Sequence, residues 1–184
     1  RIASEERIPL CQDCGLPVLF IEVGQDVLFE GPGLISAVNE GVRLATAKAF
    51  LRRMVVRDPQ YGRENTGDNT PAVVHLEIVD GENVGVVAIP RGMGSENASS
   101  LAMLRPTDGE NEVMRFVMET VDRLGANACP PLVVGVGIGG NFEVAPLLAK
   151  KALMRPIGSR SRDPRYAAFE ESLLARVNAL GIGP

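Results

Sequence analysis

Residues 72–89 read AVVHLEIVDGENVGVVAI, which is two β-rich runs on either side of a turn. The runs cover 72–79 and 84–89, and the four residues between them include the Asp-Gly pair that is typical of turns. This pattern predicts a β-hairpin. An earlier run, PVLFIEV at 17–23, predicts a further short strand. A later run, LVVGVGI at 132–138, has no polar residue and predicts a strand buried on both faces.

Helices are predicted in four other regions. Between residues 33 and 56 the helical spacing of apolar residues predicts one or two helices. Asp58-Pro59 ends the pattern, because the residue before a proline avoids helical backbone. Residues 110–125, 143–154 and 164–180 predict three more helices.

Strands and helices together predict the fold class α/β (α+β). We expect a mixed sheet with a β-hairpin and a buried strand, flanked by helices. A chain of 184 residues suffices for one compact domain. We therefore expect a single domain over residues 1–184, incomplete at both ends.

The composition argues against several classes of protein. Lys and Arg number 19 against 23 Asp and Glu, a formal net charge of −4. This balance removes the usual electrostatic argument for binding a nucleic acid or a membrane surface. No apolar run approaches the length of about 20 residues that a transmembrane helix needs. We expect neither a nucleic-acid partner nor a membrane association.

Three cysteines, Cys11, Cys14 and Cys129, are an odd number and too few for a disulfide framework. This usage favours a cytoplasmic protein with thiols in metal or catalytic roles. Cys11 and Cys14 form a C-x-x-C, but a closed zinc site would need a second such pair or two histidines. A redox dithiol is not favoured, because the pair precedes the first predicted strand. Buried, inert thiols are the alternative, and Cys14 has the weakest individual claim to a function.

Residues 135–140 read GVGIGG and satisfy G-x-G-x-x-G between a predicted strand and a predicted helix. A dinucleotide site also needs an acidic residue about 20 positions further on, and residues 154–160 contain none. Tight packing of the strand against the helix is the simpler interpretation. An anion bound at the helix N-terminus is an intermediate one.

The remaining candidate site residues are one histidine and three arginines. His75 alternates with apolar residues in its predicted strand, which favours a structural role over a catalytic one. Arg52, Arg53 and Arg91 adjoin polar glycine or proline boundaries, where guanidinium groups suit an anionic substrate.

Four stretches, in this order, resemble the class I fumarases and tartrate dehydratases, specifically their α subunit or N-terminal domain. Residues 11–15, CQDCG, look like the family's CQDTG, and residues 65–71 match its NTGDNTP. Residues 91–97, RGMGSEN, are similar to its KGGGSEN. Residues 128–140 contain ACPP and GIGG, which are similar to its last motif. The resemblance covers essentially the whole chain.

The resemblance implies an iron–sulfur hydro-lyase, which hydrates fumarate reversibly to malate or dehydrates a tartrate. In this family an open iron of a [4Fe–4S] cluster acts as a Lewis acid. By resemblance, Cys11 and Cys129 are two of the three cluster ligands, and the third lies in a segment that this chain does not contain. Cys14 stands where the family has threonine, so it is expected to be a bystander.

The resemblance also implies the substrate contacts. Asp13 matches a catalytic, substrate-contacting aspartate, and Arg52 a substrate-binding arginine, with Arg53 as the alternative register. Gly94 matches a glycine whose backbone meets the substrate. The remaining contacts and the general base are expected on a β subunit or C-terminal domain.

The resemblance therefore implies a small dicarboxylate substrate and a homo- or hetero-oligomer. Arg91 replaces the family's lysine, and Met93 interrupts its triple glycine. Two rival hypotheses stay open from the sequence. One is an NAD(P)-binding oxidoreductase that uses the GVGIGG turn, and the other is a non-catalytic assembly subunit.

Overall fold

The structure, a computed structural model, describes residues 1–182. Residues 183 and 184, the last two of the predicted domain, lie outside the described residues. The chain divides into two compact units, Arg1–Met93 and the part from Gly94 onward, and each is described by itself. The expectation of a single domain over residues 1–184 stays a prediction.

The first unit contains a three-stranded mixed sheet and two helices. In chain order its elements are α1 (Ile2–Glu6), β1 (Cys14–Gly24), α2 (Leu34–Lys48), β2 (Val73–Val79) and β3 (Val84–Gly92). The strand order is β2-β1-β3, with β1 parallel to β2 and antiparallel to β3. The strands predicted at residues 17–23, 72–79 and 84–89 and the α+β class are confirmed.

The predicted β-hairpin is wrong, because β2 and β3 each pair with β1 rather than with each other. The turn at residues 80–83 instead crosses the end of β1 and hydrogen-bonds to it. Gly24 N donates to Asn83 O at 2.8 Å, and Asp26 N donates to Gly81 O at 3.0 Å. A Cβ on Gly24 would overlap the Gly81 carbonyl oxygen, so the crossing requires a glycine there.

The central position of β1 follows from its composition. Its residues Leu19, Ile21 and Val23 are buried together with Val42 of α2. A central strand has neighbours on both edges, so it excludes water from an apolar run more completely than an edge strand does. The buried strand of the sheet is therefore β1, whereas the sequence predicted the buried strand at residues 132–138.

Helix α2 is shorter than the periodicity of residues 33–56 predicts. It ends at Lys48, and Ala49 N donates the last helical bond to Ala45 O at 2.8 Å. Phe50 then takes a left-handed backbone with φ of 54°. The segment that follows is held by tertiary hydrogen bonds described below.

The second unit is mainly helical. It contains α3 (Met93–Asn97), which begins at the boundary, α4 (Gly109–Leu124), α5 (Val144–Ala152) and α6 (Pro164–Ala179), so the three later predicted helices are confirmed. The core joins α4 to α6 and consists of Met114, Val117, Val121, Phe169 and Leu173. Among residues 1–182, none of the helices has the length and apolar character that crossing a membrane requires.

The predicted strand at residues 132–138 is not formed within the described residues. Val133, Val134 and Ile138 are exposed, which contradicts the expectation of a strand buried along its length. An apolar run becomes a sheet strand only where neighbouring strands supply hydrogen-bond partners, and residues 1–182 provide none for this run.

Candidate active site

The turn that precedes β1 brings together two of the predicted site residues. Arg52 Nη1 donates a hydrogen bond to Asp13 Oδ1 at 3.2 Å. The Asp13 side chain is mostly shielded, whereas that of Arg52 is about half exposed. Arg53, the alternative register, makes no ion pair with another residue of the described chain. The geometry therefore pairs Asp13 with Arg52.

Backbone packing fixes the approach of these two segments. Arg52 N donates to Cys14 O at 3.3 Å. A Cβ on Gly15 would overlap the Arg52 carbonyl oxygen, so the final glycine of CQDCG is needed for this close contact. The two main chains consequently lie against each other at Gly15.

A buried asparagine holds the Arg52 segment from the other side. Asn69 is 0% exposed and has a left-handed φ of 61°. Its Nδ2 donates to Arg52 O at 2.8 Å, and its Oδ1 accepts from Met54 N at 2.8 Å. Fully buried amides that satisfy main-chain groups fix the backbone, since an unpaired group there is costly.

Sequence reasoning assigned Asn69 no role, although a signal was available. Asparagine is one of the few residues other than glycine that tolerates the left-handed region, and Asn69 follows Gly67-Asp68 in the loop of residues 65–71. Asp68 braces the same loop by accepting from Thr70 N at 3.0 Å and from Thr70 Oγ1 at 2.7 Å. These bonds lower the pKa of the Asp68 carboxyl.

Strand β3 brings a third motif to Asp13. Cys14 pairs with Gly92 across β1 and β3. A Cβ on Gly92 would overlap Asp13 Oδ2, so Asp13 lies between Gly92 and Arg52. Residues of three of the four motif stretches thus meet in the first unit, and Gly92 is the one that the 91–97 stretch contributes.

The thiol of Cys11 belongs to the same turn. Its pKa is lowered, chiefly by a hydrogen bond from the Cys14 side chain and next by the backbone of Asp13. These donors favour the thiolate, which is the form that binds iron. Cys14 is therefore a neighbour that acts on Cys11. A threonine hydroxyl, which the family motif has at this place, would also be a donor.

Two further predicted residues lie in the second unit. Gly94 is in α3, and Cys129 is an exposed free thiol directly before Pro130-Pro131. Glu96 of the same motif accepts from Lys150 Nζ at 2.6 Å on both carboxylate oxygens. This half-buried ion pair ties α3 to α5, and sequence reasoning missed it.

The described part of the chain holds free thiols but no complete metal site. Within residues 1–182, no three His, Cys, Asp or Glu side chains form a group that could hold a metal ion. The two predicted cluster ligands lie in different units, Cys11 in the first and Cys129 in the second. Both are free thiols, and they suit a partial set of thiolate ligands.

The GVGIGG segment has the geometry of close packing. Cβ atoms on Gly135 and Gly137 would overlap the carbonyl oxygens of Ala149 and Ala145 in α5, respectively. Because both glycines are used for contact with α5, the described residues give the nucleotide hypothesis no support. The packing interpretation is confirmed.

The start of α5 and the lone histidine also have structural explanations. Asn141 Oδ1 accepts from Glu143 N at 3.1 Å and from Val144 N at 2.9 Å, so these donors are used within the chain. The anion interpretation therefore has no support.

His75 lies in β2 and stacks on Phe20 with ring centroids 4.8 Å apart, which confirms its structural role.

Comparison with known proteins adds independent findings. The profile of a family described as fumarate hydratase (Fumerase) matches residues 1–184. A putative L(+)-tartrate dehydratase subunit alpha of Methanocaldococcus jannaschii is 43% identical over 188 residues, which cover 100% of this chain and 66% of the relative. The L(+)-tartrate dehydratase subunit alpha of Escherichia coli strain K12 is 38% identical over 178 residues, which cover 96% of this chain and 58% of the relative. The chain thus spans less than two thirds of the length of these relatives.

Proposed function

This chain belongs to the fumarate hydratase (Fumerase) family, and from that premise we propose that it is the α-type part of an iron–sulfur hydro-lyase. The reaction is the reversible hydration of fumarate to malate or the dehydration of a tartrate. The observation that carries the proposal is the pairing of Asp13 with Arg52 at the start of β1. The names of the tartrate dehydratase relatives support it.

Arg52 is suited to bind a carboxylate of the substrate. Its Nη1 donates to Asp13, and the other two guanidinium nitrogens, Nη2 and Nε, make no hydrogen bond within residues 1–182. A guanidinium can present two parallel N–H groups to a carboxylate, which gives both affinity and orientation. We assign Arg52 to this role, and Asp13 to the hydroxyl-bearing part of the substrate as a catalytic residue.

The hydrogen bond from Arg52 would also hold the Asp13 carboxylate in place. A carboxylate held by an arginine and by adjacent backbone keeps one orientation without reorganising when the substrate arrives. Gly94 is assigned a backbone contact with the substrate. The family resemblance supports this contact, and the absence of a side chain allows close approach.

The cofactor is proposed to be a [4Fe–4S] cluster. Cys11 and Cys129 would supply two thiolates, and the third would come from polypeptide outside this chain. When bound, the cluster supplies an open iron as a Lewis acid for the substrate. The lowered pKa of Cys11 supports its assignment, since the thiolate is the ligating form.

A second polypeptide or domain is proposed to complete the site. Subunit naming among the relatives supports a β-type partner. We place the general base and the remaining dicarboxylate contacts on that partner. A cytoplasmic location is proposed, supported by the three free cysteines.

The test is anaerobic reconstitution of the full-length protein with its β-type partner, iron and sulfide. We expect a cluster absorption band, together with conversion of fumarate to malate or of a tartrate to its dehydration product. A cluster that forms without turnover of either substrate would favour the assembly-subunit hypothesis. Absence of both the cluster and turnover would contradict the proposal as a whole.

A further inference from the structure

Residues 132–138, LVVGVGI, form a segment whose backbone polar groups have no partner in the described chain. None of its N–H or C=O groups hydrogen-bonds to another group of residues 1–182. Residues 132 and 135–137 are half-buried, and main-chain groups that are shielded from water in native proteins are almost always paired. The segment is rich in β-branched residues, which is the composition of a strand. Its main-chain N–H and C=O groups, however, have no adjacent strand to pair with within the described residues.

The faces of this unpaired segment are nevertheless both covered. Gly135 and Gly137 lie against the backbone of α5, so closely that a Cβ on either would overlap a carbonyl oxygen there. Val136, between them, packs on the opposite side against the core formed by α4 and α6. Successive residues therefore contact α5 and the α4–α6 core in turn. This alternation is typical of an extended strand that lies between two layers of helices.

The exposed parts of the segment are consistent with missing strands on its edges. Val133 is 59% exposed, Val134 45% and Ile138 46%. A parallel or mixed sheet between helices buries such β-branched side chains against those of the adjacent strands. A helix layer on each side and open hydrogen-bonding edges together describe one strand of a three-layer arrangement.

We propose that the unpaired segment is a strand of a second sheet, and that its neighbouring strand comes from the α-type polypeptide outside residues 1–184. The matched region covers only 58% to 66% of the relatives' own length, so these α subunits carry further chain that can supply the strand. Consecutive elements of one polypeptide usually lie next to one another, which favours a strand of the same chain as the neighbour. The occupant is an extended, apolar segment that pairs through its main chain.

Pairing of residues 132–138 with a further strand does not depend on the hydro-lyase activity. It concerns how the second unit is completed, and it would hold for an inactive assembly subunit as well. Its tests therefore use structural readouts that are independent of turnover.

The first test is photo-crosslinking in the full-length protein purified with its partner. Benzoylphenylalanine replaces Val133, and mass spectrometry identifies the attached peptide. We expect the main adduct on a stretch of the α-type polypeptide outside residues 1–184. Adducts on the β-type partner, on a second copy of the segment or on the sheet of residues 14–92 would each overturn the proposal. Ile157, which is 93% exposed, is the matched control and should not give the expected adduct.

The second test needs no substitution, so a folding failure cannot obscure it. Hydrogen–deuterium exchange is measured in the same complex for peptides that cover residues 132–138. Strand pairing predicts that these amides exchange at least about 100-fold more slowly than those of the loop at 156–160. Equal, fast exchange in both regions would overturn the proposal.

Discussion

Arg52 Nη1 lies 3.2 Å from Asp13 Oδ1, although the two residues are 39 positions apart. Asp13 and Arg52 both lie outside the helices and strands, so no shared secondary-structure element sets this distance. Three contacts fix it instead, namely the Arg52–Cys14 main-chain bond, the close approach at Gly15 and the amide of Asn69. The substrate end of the proposed site thus depends on residues that would not touch the substrate.

Asn69 should be the most sensitive of these supporting residues. Its replacement by alanine leaves Arg52 O and Met54 N without partners in a partly buried place. We expect Asn69→Ala to lower the free energy of unfolding by about 2–4 kcal/mol. Urea denaturation of the full-length protein measures this loss.

The exposed Asn65 of the same loop is the matched control for that substitution. It also hydrogen-bonds to main chain, with Nδ2 donating to Arg53 O at 3.0 Å, but water can replace its contacts. Asn65→Ala should cost about 1 kcal/mol or less. Equal losses for the two variants would refute the role given to Asn69.

A substitution at Gly15 tests the close approach of its main chain to that of Arg52. Gly15→Ala places a methyl group where the Arg52 carbonyl oxygen lies, so the Arg52 segment must shift. We expect loss of stability and a rise in the KM for the dicarboxylate. Gly41→Ala in α2, where a Cβ meets nothing, should be neutral or stabilising by up to about 1 kcal/mol. A Gly15→Ala protein as stable and active as Gly41→Ala would contradict this geometry.

Cys14 should control the reactivity of Cys11 in the cluster-free protein. Cys14→Val removes the main donor that lowers the Cys11 pKa. The pKa then rises, the thiolate fraction at pH 7 falls, and iodoacetamide reacts with Cys11 more slowly. Cys14→Thr keeps a donor and should retain most of the wild-type rate. Mass spectrometry gives the rates, with Cys129 as the reference thiol in each sample, and identical Cys11 rates in both variants would count against this contact.

The proposed ligand set predicts a different pattern in the reconstituted protein. Cys11→Ser and Cys129→Ser should each abolish retention of the cluster, whereas Cys14→Ser should keep most of it. Iron and inorganic sulfide per chain are the quantities to measure after gel filtration under anaerobic conditions. Equal loss of iron in all three variants would show that Cys14 is a ligand as well.

The local sequence pattern predicted where the strands and helices lie better than it predicted which strands pair. Alternation and helical spacing located β1, β2, β3 and the later helices, because those signals come from neighbouring residues. The hairpin was wrong because β1, about 50 residues upstream, occupies the place between β2 and β3. Nothing in the composition of residues 72–89 reveals a third strand, so the error comes from a long-range contact.

The same distinction applies to the candidate site. Motif resemblance identified Asp13 and Arg52, but their pairing and the part of Asn69 depend on tertiary hydrogen bonds. The end of α2 was missed because those bonds, rather than a helix-breaking residue, hold residues 52–55 outside the helix. The unpaired segment was predicted as a strand from its apolar run, but the chain supplies no neighbouring strand within residues 1–182.

The measurement that most directly tests the central claim compares Arg52→Ala with Arg53→Ala in the reconstituted full-length protein. Both side chains are exposed arginines in adjacent positions, but only Arg52 is paired with Asp13. We expect kcat/KM for the preferred dicarboxylate to fall about 10–100-fold in Arg52→Ala, as for the loss of a charged hydrogen bond, and to change less than about twofold in Arg53→Ala. Equal effects, or a larger loss in Arg53→Ala, would contradict the account.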